Sequence, residues 1–126
     1  MKKVLLDSSF LISAAKKKID LFEELQDHPE IMVPEQVIQE LFKISQSKQS
    51  LKNRNSAELA IKILDACKDK FKKIDISEGK SEYTDKQIIK YLDKNKAILL
   101  ATLDKELKLK FKGKLIVLRG NKIERQ

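Results

Sequence analysis

The sequence is poor in the residues that several kinds of functional site require. It has one cysteine, Cys67, and one histidine, His28, among 126 residues, so it can form neither an internal disulfide nor a cysteine zinc cluster. Tryptophan is absent, and the few aromatic residues are not interleaved with basic ones in an array that would stack bases. No apolar stretch is long enough to cross a membrane, and the first apolar run is too short for a signal peptide. We therefore expect a soluble cytoplasmic protein without membrane contact.

Basic residues outnumber acidic ones. The 27 lysines and arginines against 19 aspartates and glutamates give a formal net charge of +8. This excess favours a polyanionic partner such as nucleic acid, although lysines that only confer solubility would give the same count. The length predicts one domain, and no linker, repeat or low-complexity segment divides it. We expect the domain to span residues 1–120, followed by a basic tail over 121–126.

An aspartate interrupts the first apolar run of the chain, Val4 to Ile12. The residues before Asp7 are too few for a helix and predict a buried strand, while those after Ser8 fit the start of a buried helix. Asp7 is therefore expected at the C-terminal end of a strand, where open α/β sheets place their ligand sites. Burying a carboxylate is costly unless its charge is compensated, so Asp7 needs a partner.

Further apolar runs alternate with apolar residues at helical spacing. Strands are expected at 31–33, 71–76, 97–101 and 115–118, with helices between them and a loop at 77–83. Two capping pairs predict helix starts, Asp20 with Glu23 and Thr84 with Gln87. Uniformly apolar strands that alternate with helices predict a single three-layer α/β/α domain with a mostly parallel sheet of four to five strands. The lysine-bearing third strand is expected near a sheet edge, and the tail 119–126 is expected to pack poorly.

Four acidic residues occupy positions that such a sheet would bring together. Asp7 and Asp104 each follow a buried strand, Asp85 lies at a helix start, and Glu40 lies on a helix with an inward apolar face. Converging carboxylates repel one another and cannot all remain ionised without a cation. A ligand set of oxygen atoms alone points to Mg²⁺ or Mn²⁺, as one or two ions, rather than to Zn²⁺.

These acids carry a resemblance to a known family. The sequence around Asp7, the segment from Val33-Pro34 to Glu40-Leu41, Thr84-Asp85 and Thr102-Leu103-Asp104 resembles, in order, the four acidic motifs of PIN-domain nucleases. The resemblance covers essentially the whole chain. Within the family, the residues 101–107 and 116–119 look most like archaeal Fcf-type proteins, relatives of ribosomal RNA processing nucleases and of VapC toxins. Leu103 departs from that subgroup, in which asparagine is frequent at this position.

The resemblance implies a metal-dependent endoribonuclease in which metal-activated water attacks a phosphodiester bond. Asp7, Asp85 and Asp104 would be metal ligands, directly or through water, and Glu40 would be a ligand or would orient the attacking water. Ser8, Ser9 and Thr102 would hydrogen-bond these groups. For Ser8 and Ser9, helix capping and local turn bonding explain the hydroxyls equally well. The role implied is ribosomal RNA processing, with a VapC-type toxin as the alternative.

RNA is the expected substrate, bound across the acidic edge by basic residues on two segments of the chain. The candidates are Lys43, Lys48, Lys52, Arg54, Lys105, Lys108, Lys110, Lys112 and Arg119. A solvated face is the competing interpretation for each of these residues. An antitoxin or a ribosome-assembly protein is a further partner that the resemblance allows, as is a second copy of the chain.

Three other functions would use some of the same residues. A serine hydrolase would need a base near Ser8 or Ser9, and His28 precedes a different strand without a nucleophile-elbow motif. A phosphoacceptor receiver domain would need paired carboxylates after the first strand, where Asp7 stands alone. A catalytically silent PIN module that binds RNA or protein is the stronger alternative, and the intact acids argue against it.

Overall fold

The computed structural model describes residues 2–48, 50–77 and 83–126. In these ranges the strands are β1 (Val4–Leu6), β2 (Ile31–Pro34), β3 (Lys72–Ile74), β4 (Leu99–Ala101), β5 (Leu115–Arg119) and β6 (Lys122–Arg125). The helices are α1 (Ser8–Lys16), α2 (Leu21–Glu24), α3 (Glu35–Ser45), α4 (Leu51–Ala66), α5 (Thr84–Lys94) and α6 (Lys105–Lys110). A single 3₁₀ turn, Lys68–Lys70, follows α4.

The strands form one sheet in the order β3-β2-β1-β4-β5-β6. All neighbouring pairs are parallel except β5 and β6, which are antiparallel. The chain moves from β1 outward to β2 and β3, then crosses back to β4 and continues to β5. The direction of strand addition therefore reverses between β1 and β4, and open α/β sheets bind their ligands at such a reversal.

The apolar core explains why these segments become interior strands. Every residue of β1, β2 and β4 is buried, as expected for strands covered on both faces of a sheet. Parallel crossovers are almost always right-handed, so the connections to β2 and β3 and those to β4 and β5 cover opposite faces. Helices α1, α3 and α4 pack against one another. Among the described residues, no helix is both long and apolar enough to cross a bilayer.

The predicted fold class is confirmed, with a correction to the strand count. The sheet has six strands where four to five were expected. The prediction that residues 119–126 form a poorly packed tail is wrong, because residues 122–125 form the sixth strand. Residues 122–125 pair with β5, and the register places Val117 opposite Glu124 and Arg119 opposite Lys122. Most of the β6 side chains are exposed, so backbone hydrogen bonds rather than apolar burial hold this strand in place.

Two of the local predictions, a helix cap and an edge strand, are confirmed, and a second helix cap is wrong. Asp20 caps α2 by accepting a hydrogen bond from the Glu23 N–H at 3.2 Å, as predicted, and β3 lies at a sheet edge, also as predicted. The capping box at Thr84 is wrong, because α5 begins at Thr84 itself, after Tyr83, and its start has no side-chain cap. Of the predicted loop 77–83, residues 78–82 lie outside the described part of the chain.

Candidate active site

Asp7 stands at the point where strand order reverses. It follows β1 directly, and its backbone N–H donates to the carbonyl of Ala101 at the end of β4, at 3.0 Å. The side chain is buried, with 3% of the residue exposed. Asp7 is also the residue before α1, yet its carboxylate does not cap that helix. The carboxylate is therefore left to be held by groups from elsewhere in the fold.

Two hydroxyl groups hold the Asp7 carboxylate. Thr102 and Ser9 donate to its Oδ2 atom at 2.7 and 2.8 Å, and the two hydroxyl oxygens lie 3.2 Å apart. Ser9 Oγ also accepts the Leu103 N–H at 3.0 Å, and Thr102 Oγ1 accepts the Asp104 N–H at 3.1 Å. These bonds join the ends of β1 and β4, so the position of Asp7 is fixed from both sides.

Three further acids approach this point from separate helices. Glu40 lies on α3, and its Oε1 atom accepts a hydrogen bond from Ser8 at 2.5 Å. Asp85 lies in the first turn of α5. Asp104 is the N-cap of α6, where its Oδ1 atom accepts the Leu107 N–H at 3.0 Å. Glu40, Asp85 and Asp104 are partly exposed, in contrast to buried Asp7.

Electrostatic coupling shows that the acids lie within reach of one another. Partial burial, together with the charges of Asp7 and Asp104, raises the pKa of Asp85 to about 6. Smaller contributions to the raised pKa of Asp85 come from Glu40 and Glu106. The neighbouring carboxylates therefore make Asp85 harder to ionise, as expected for carboxylates that share a site.

Burial is the largest influence on the Asp7 carboxyl and raises its pKa. The hydrogen bonds from Thr102 and Ser9 oppose this rise, because they stabilise the charged form. The negative charge of Glu40 raises the pKa further. A cation placed among these groups would favour ionisation of both Asp7 and Asp85.

The donor set suits a hard divalent cation, because the acids offer only carboxylate oxygens and the neighbouring side chains offer hydroxyls. In the described ranges, no three His, Cys, Asp or Glu side chains are already drawn together as a ligand cluster. The acids therefore lie near one another without forming a closed ligand set. The residues that could hold an ion are Asp7, Glu40, Asp85 and Asp104, and the raised pKa values of Asp7 and Asp85 are what a cation would relieve.

A cleft of about 980 Å³ opens beside two of the acids. Glu40 and Asp85 line it together with Lys43, Tyr83 and Lys86. Lys43 was among the predicted RNA-binding residues. Sequence reasoning missed Tyr83 and Lys86 as residues of the cleft, although each lies within two positions of Asp85 and could have been found from that proximity.

The other predicted basic residues are spread over two parts of the surface. Lys48 is exposed after α3, while Lys52 and Arg54 lie in the first turns of α4. Lys105, Lys108 and Lys110 lie on α6, directly after Asp104, and Lys112 follows the helix. Arg119 pairs with Glu124 at 3.1 Å, so its charge is partly engaged within the hairpin of β5 and β6.

Solved structures of other proteins resemble this chain over nearly its whole length. A search of curated protein sequences found no match. The solved structure described as the PIN domain endonuclease Utp24 is similar over 98% of this chain and 92% of its own, with a TM-score of 0.73 and 25% identity.

A second solved structure is a domain of a functionally unknown protein from Methanocaldococcus jannaschii. It is similar over 100% of this chain and 97% of its own, with a TM-score of 0.62 and 21% identity, which supports the fold. The family model described as PIN like domain matches residues 4–121, from β1 to the turn before β6. The chain therefore belongs to the PIN-like domain family.

Proposed function

We propose that the protein is a metal-dependent endoribonuclease that hydrolyses RNA phosphodiester bonds. The observation that carries this proposal is the convergence of Asp7, Glu40, Asp85 and Asp104, from four separate segments, on the point of the sheet where strand order reverses. Membership of the PIN-like family and the likeness to a PIN domain endonuclease support a nuclease. The all-oxygen donor set supports Mg²⁺ or Mn²⁺.

The protein side chains have distinct tasks in this reaction. Asp7, Asp85 and Asp104 would hold the ion directly or through water, and Glu40 would hold the ion or orient the attacking water. When bound, a divalent ion supplies a hydroxide at neutral pH and neutralises charge that develops on the phosphate. Ser9 and Thr102 keep the Asp7 carboxylate in one orientation through their hydrogen bonds to Oδ2. Ser8 does the same for Glu40.

RNA reaches the acids through the cleft that Glu40 and Asp85 line. An RNA phosphate would be repelled by unneutralised acids, so nearby basic groups are needed to attract it. Lys43 and Lys86 line the same cleft and supply that charge at its wall. The basic residues of α4 and α6 extend the attraction along the strand beyond the cleft.

The direct test is cleavage of a mixed RNA substrate by the wild-type protein and by Asp7→Asn, with Mg²⁺, with Mn²⁺ and with a chelator. The wild-type protein should cleave only with metal, and Asp7→Asn should cleave at least about 100-fold more slowly, because a charged ligand is lost at the reacting centre. Asp93→Asn is the matched control, because Asp93 is an exposed acid of α5 outside the cluster. Cleavage that survives Asp7→Asn, or that needs no metal, would contradict the proposal.

The same activity could serve RNA maturation or growth arrest, and we assign it to ribosomal RNA processing. The support is the sequence resemblance of residues 101–107 to Fcf-type proteins. Expression of the chain alone separates the two roles. Growth should continue under RNA processing, whereas arrest that Asp85→Asn relieves would favour a VapC-type toxin.

A further inference from the structure

An aromatic ring stands exposed at the wall of the cleft. Tyr83 lines the cleft together with Asp85 and Lys43, and 81% of the residue is accessible to solvent. It is the most exposed of the large apolar and aromatic side chains in the described part of the chain. The ring is not packed in the apolar core, so it is available for contact with a molecule in the cleft.

The backbone of Tyr83 is hydrogen-bonded to the first turn of α5. The Tyr83 carbonyl accepts the N–H of Gln87 at 3.2 Å, and Gln87 is buried beneath the first turn of α5. The Tyr83 side chain does not cap the helix. The start of α5 thus carries a solvent-exposed ring beside the cleft.

Tyr83 and Asp85 lie two residues apart in the chain and line the same cleft. Every base presents a flat apolar face, and aromatic side chains stack on such faces with little regard to sequence. Lys43 and Lys86, which line the same cleft, would attract the adjoining phosphates.

We propose that Tyr83 is a substrate-positioning residue that stacks on an unpaired base next to the bond that is cut. A base inside a duplex has both faces covered by its neighbours, whereas loops and single strands offer them to a ring. With one aromatic residue at the cleft and no array beside it, the contact selects strand state rather than sequence. This inference rests on the proposed function, because it concerns the RNA that the same site would cut.

The two tyrosines of the chain allow a direct measurement, because it contains no tryptophan. Tyr91 is packed against the core, and Tyr91→Phe leaves Tyr83 as the sole tyrosine emitter. This protein is titrated, in the presence of a chelator that prevents cleavage, with a single-stranded oligoribonucleotide of about twelve nucleotides and with its duplex. Binding is followed separately by anisotropy of a labelled strand. Stacking should quench Tyr83 emission at saturation with the single strand and much less at saturation with the duplex.

Variants at position 83 complete the test. Tyr83→Leu should bind the single strand about tenfold more weakly, and Tyr83→Phe and Tyr83→Trp should bind it as tightly as wild type, because only leucine lacks a π face. Binding of the duplex should be the same for all of them. Leu59→Ala, a change at an exposed apolar residue of α4, is the matched control for general loss of surface. Thermal unfolding of each variant verifies that it is folded.

The inference and the proposed function can fail separately. If the wild-type protein cleaves RNA but Tyr83→Leu binds the single strand as tightly as wild type, or if Tyr83 emission does not change on saturation, stacking is overturned and the nuclease stands. If no RNA is cleaved but the single strand quenches Tyr83 and the leucine variant loses affinity, stacking stands and the nuclease is overturned.

Discussion

Asp7 and Asp85 belong to the same cluster but are held in opposite ways. Asp7 is buried between two strand ends and receives hydrogen bonds from Thr102 and Ser9. Asp85 stands at a helix start beside an open cleft, and the main influences on it are partial burial and neighbouring negative charge. The comparison indicates two roles. Hydrogen bonds hold Asp7 in one position, whereas the ionisation of Asp85 depends on the charges around it.

Removing the hydroxyl that holds Asp7 should have the largest effect on this comparison. Thr102→Val keeps the side-chain volume and deletes the hydrogen bond to Asp7 Oδ2. We expect Mg²⁺ to bind about 10- to 100-fold more weakly, as measured by calorimetry, because groups that orient metal ligands typically contribute this much. Ser56→Ala, which removes a buried hydroxyl of α4 that donates to the Lys52 carbonyl, is the control. Equal metal affinity for the two variants would mean that Asp7 needs no such support.

The response of Asp85 to charge should appear in the pH dependence of stability. Its pKa is raised from 3.8 to about 6 in the folded protein, so between these values the folded state binds more protons than the unfolded state. Without metal, this group therefore lowers the free energy of unfolding as pH rises from about 4 to about 6. In Asp85→Asn this contribution is absent. We therefore expect the melting temperature of the variant to fall by a few degrees less than that of wild type over this pH range.

The measurement is thermal unfolding of wild type and Asp85→Asn from pH 4.5 to 7 in a chelator, analysed as the difference between the two proteins. Added Mg²⁺ should stabilise wild type more than the variant at pH 7, because the ion binds the ionised cluster of the folded state. A difference in melting temperature that does not change with pH would contradict the raised pKa of Asp85.

The smallest expected effect concerns the approach of RNA to the two acids. Lys43 lines the cleft next to Glu40 and Asp85, so Lys43→Gln should weaken RNA binding a few-fold and reduce the slope of log affinity against log salt by about one. Lys62→Gln removes an exposed lysine of α4 that does not line the cleft and should leave that slope unchanged. Binding titrations at several salt concentrations distinguish the two results.

The sequence was sufficient to predict the strands that carry the site. Asp7 was predicted at a strand end because short, continuously apolar runs are typical of buried parallel strands, and β1 and β4 have this character. From a parallel sheet it follows that residues after different strands meet at one edge, which is where Asp7 and Thr102 are in contact. The catalytic and RNA-binding roles assigned to these residues stay predictions.

Other features depend on tertiary structure and leave little trace in the sequence. The bond from Ser8 to Glu40 joins residues 32 positions apart and depends on how α1 and α3 pack. Strand β6 has the composition of a solvated tail, because pairing with β5 rather than apolar burial makes it a strand. The start of α5 shifted by one residue because Tyr83 rather than Thr84 precedes the helix, a difference that backbone geometry decides.

The two outer strands of the sheet have a consequence for association between molecules. An outermost strand has unpaired backbone groups along one side, which can hydrogen-bond to a strand of another copy and begin aggregation. Here one side of the sheet ends in β3, with exposed Lys72 and Lys73, and the other in β6, with exposed Lys122, Glu124 and Arg125. A strand of another molecule that paired with either outer strand would remove water from these charged side chains, which is unfavourable. The charged residues that made β6 look like a solvated tail in the sequence thus oppose the pairing of a further strand with the sheet.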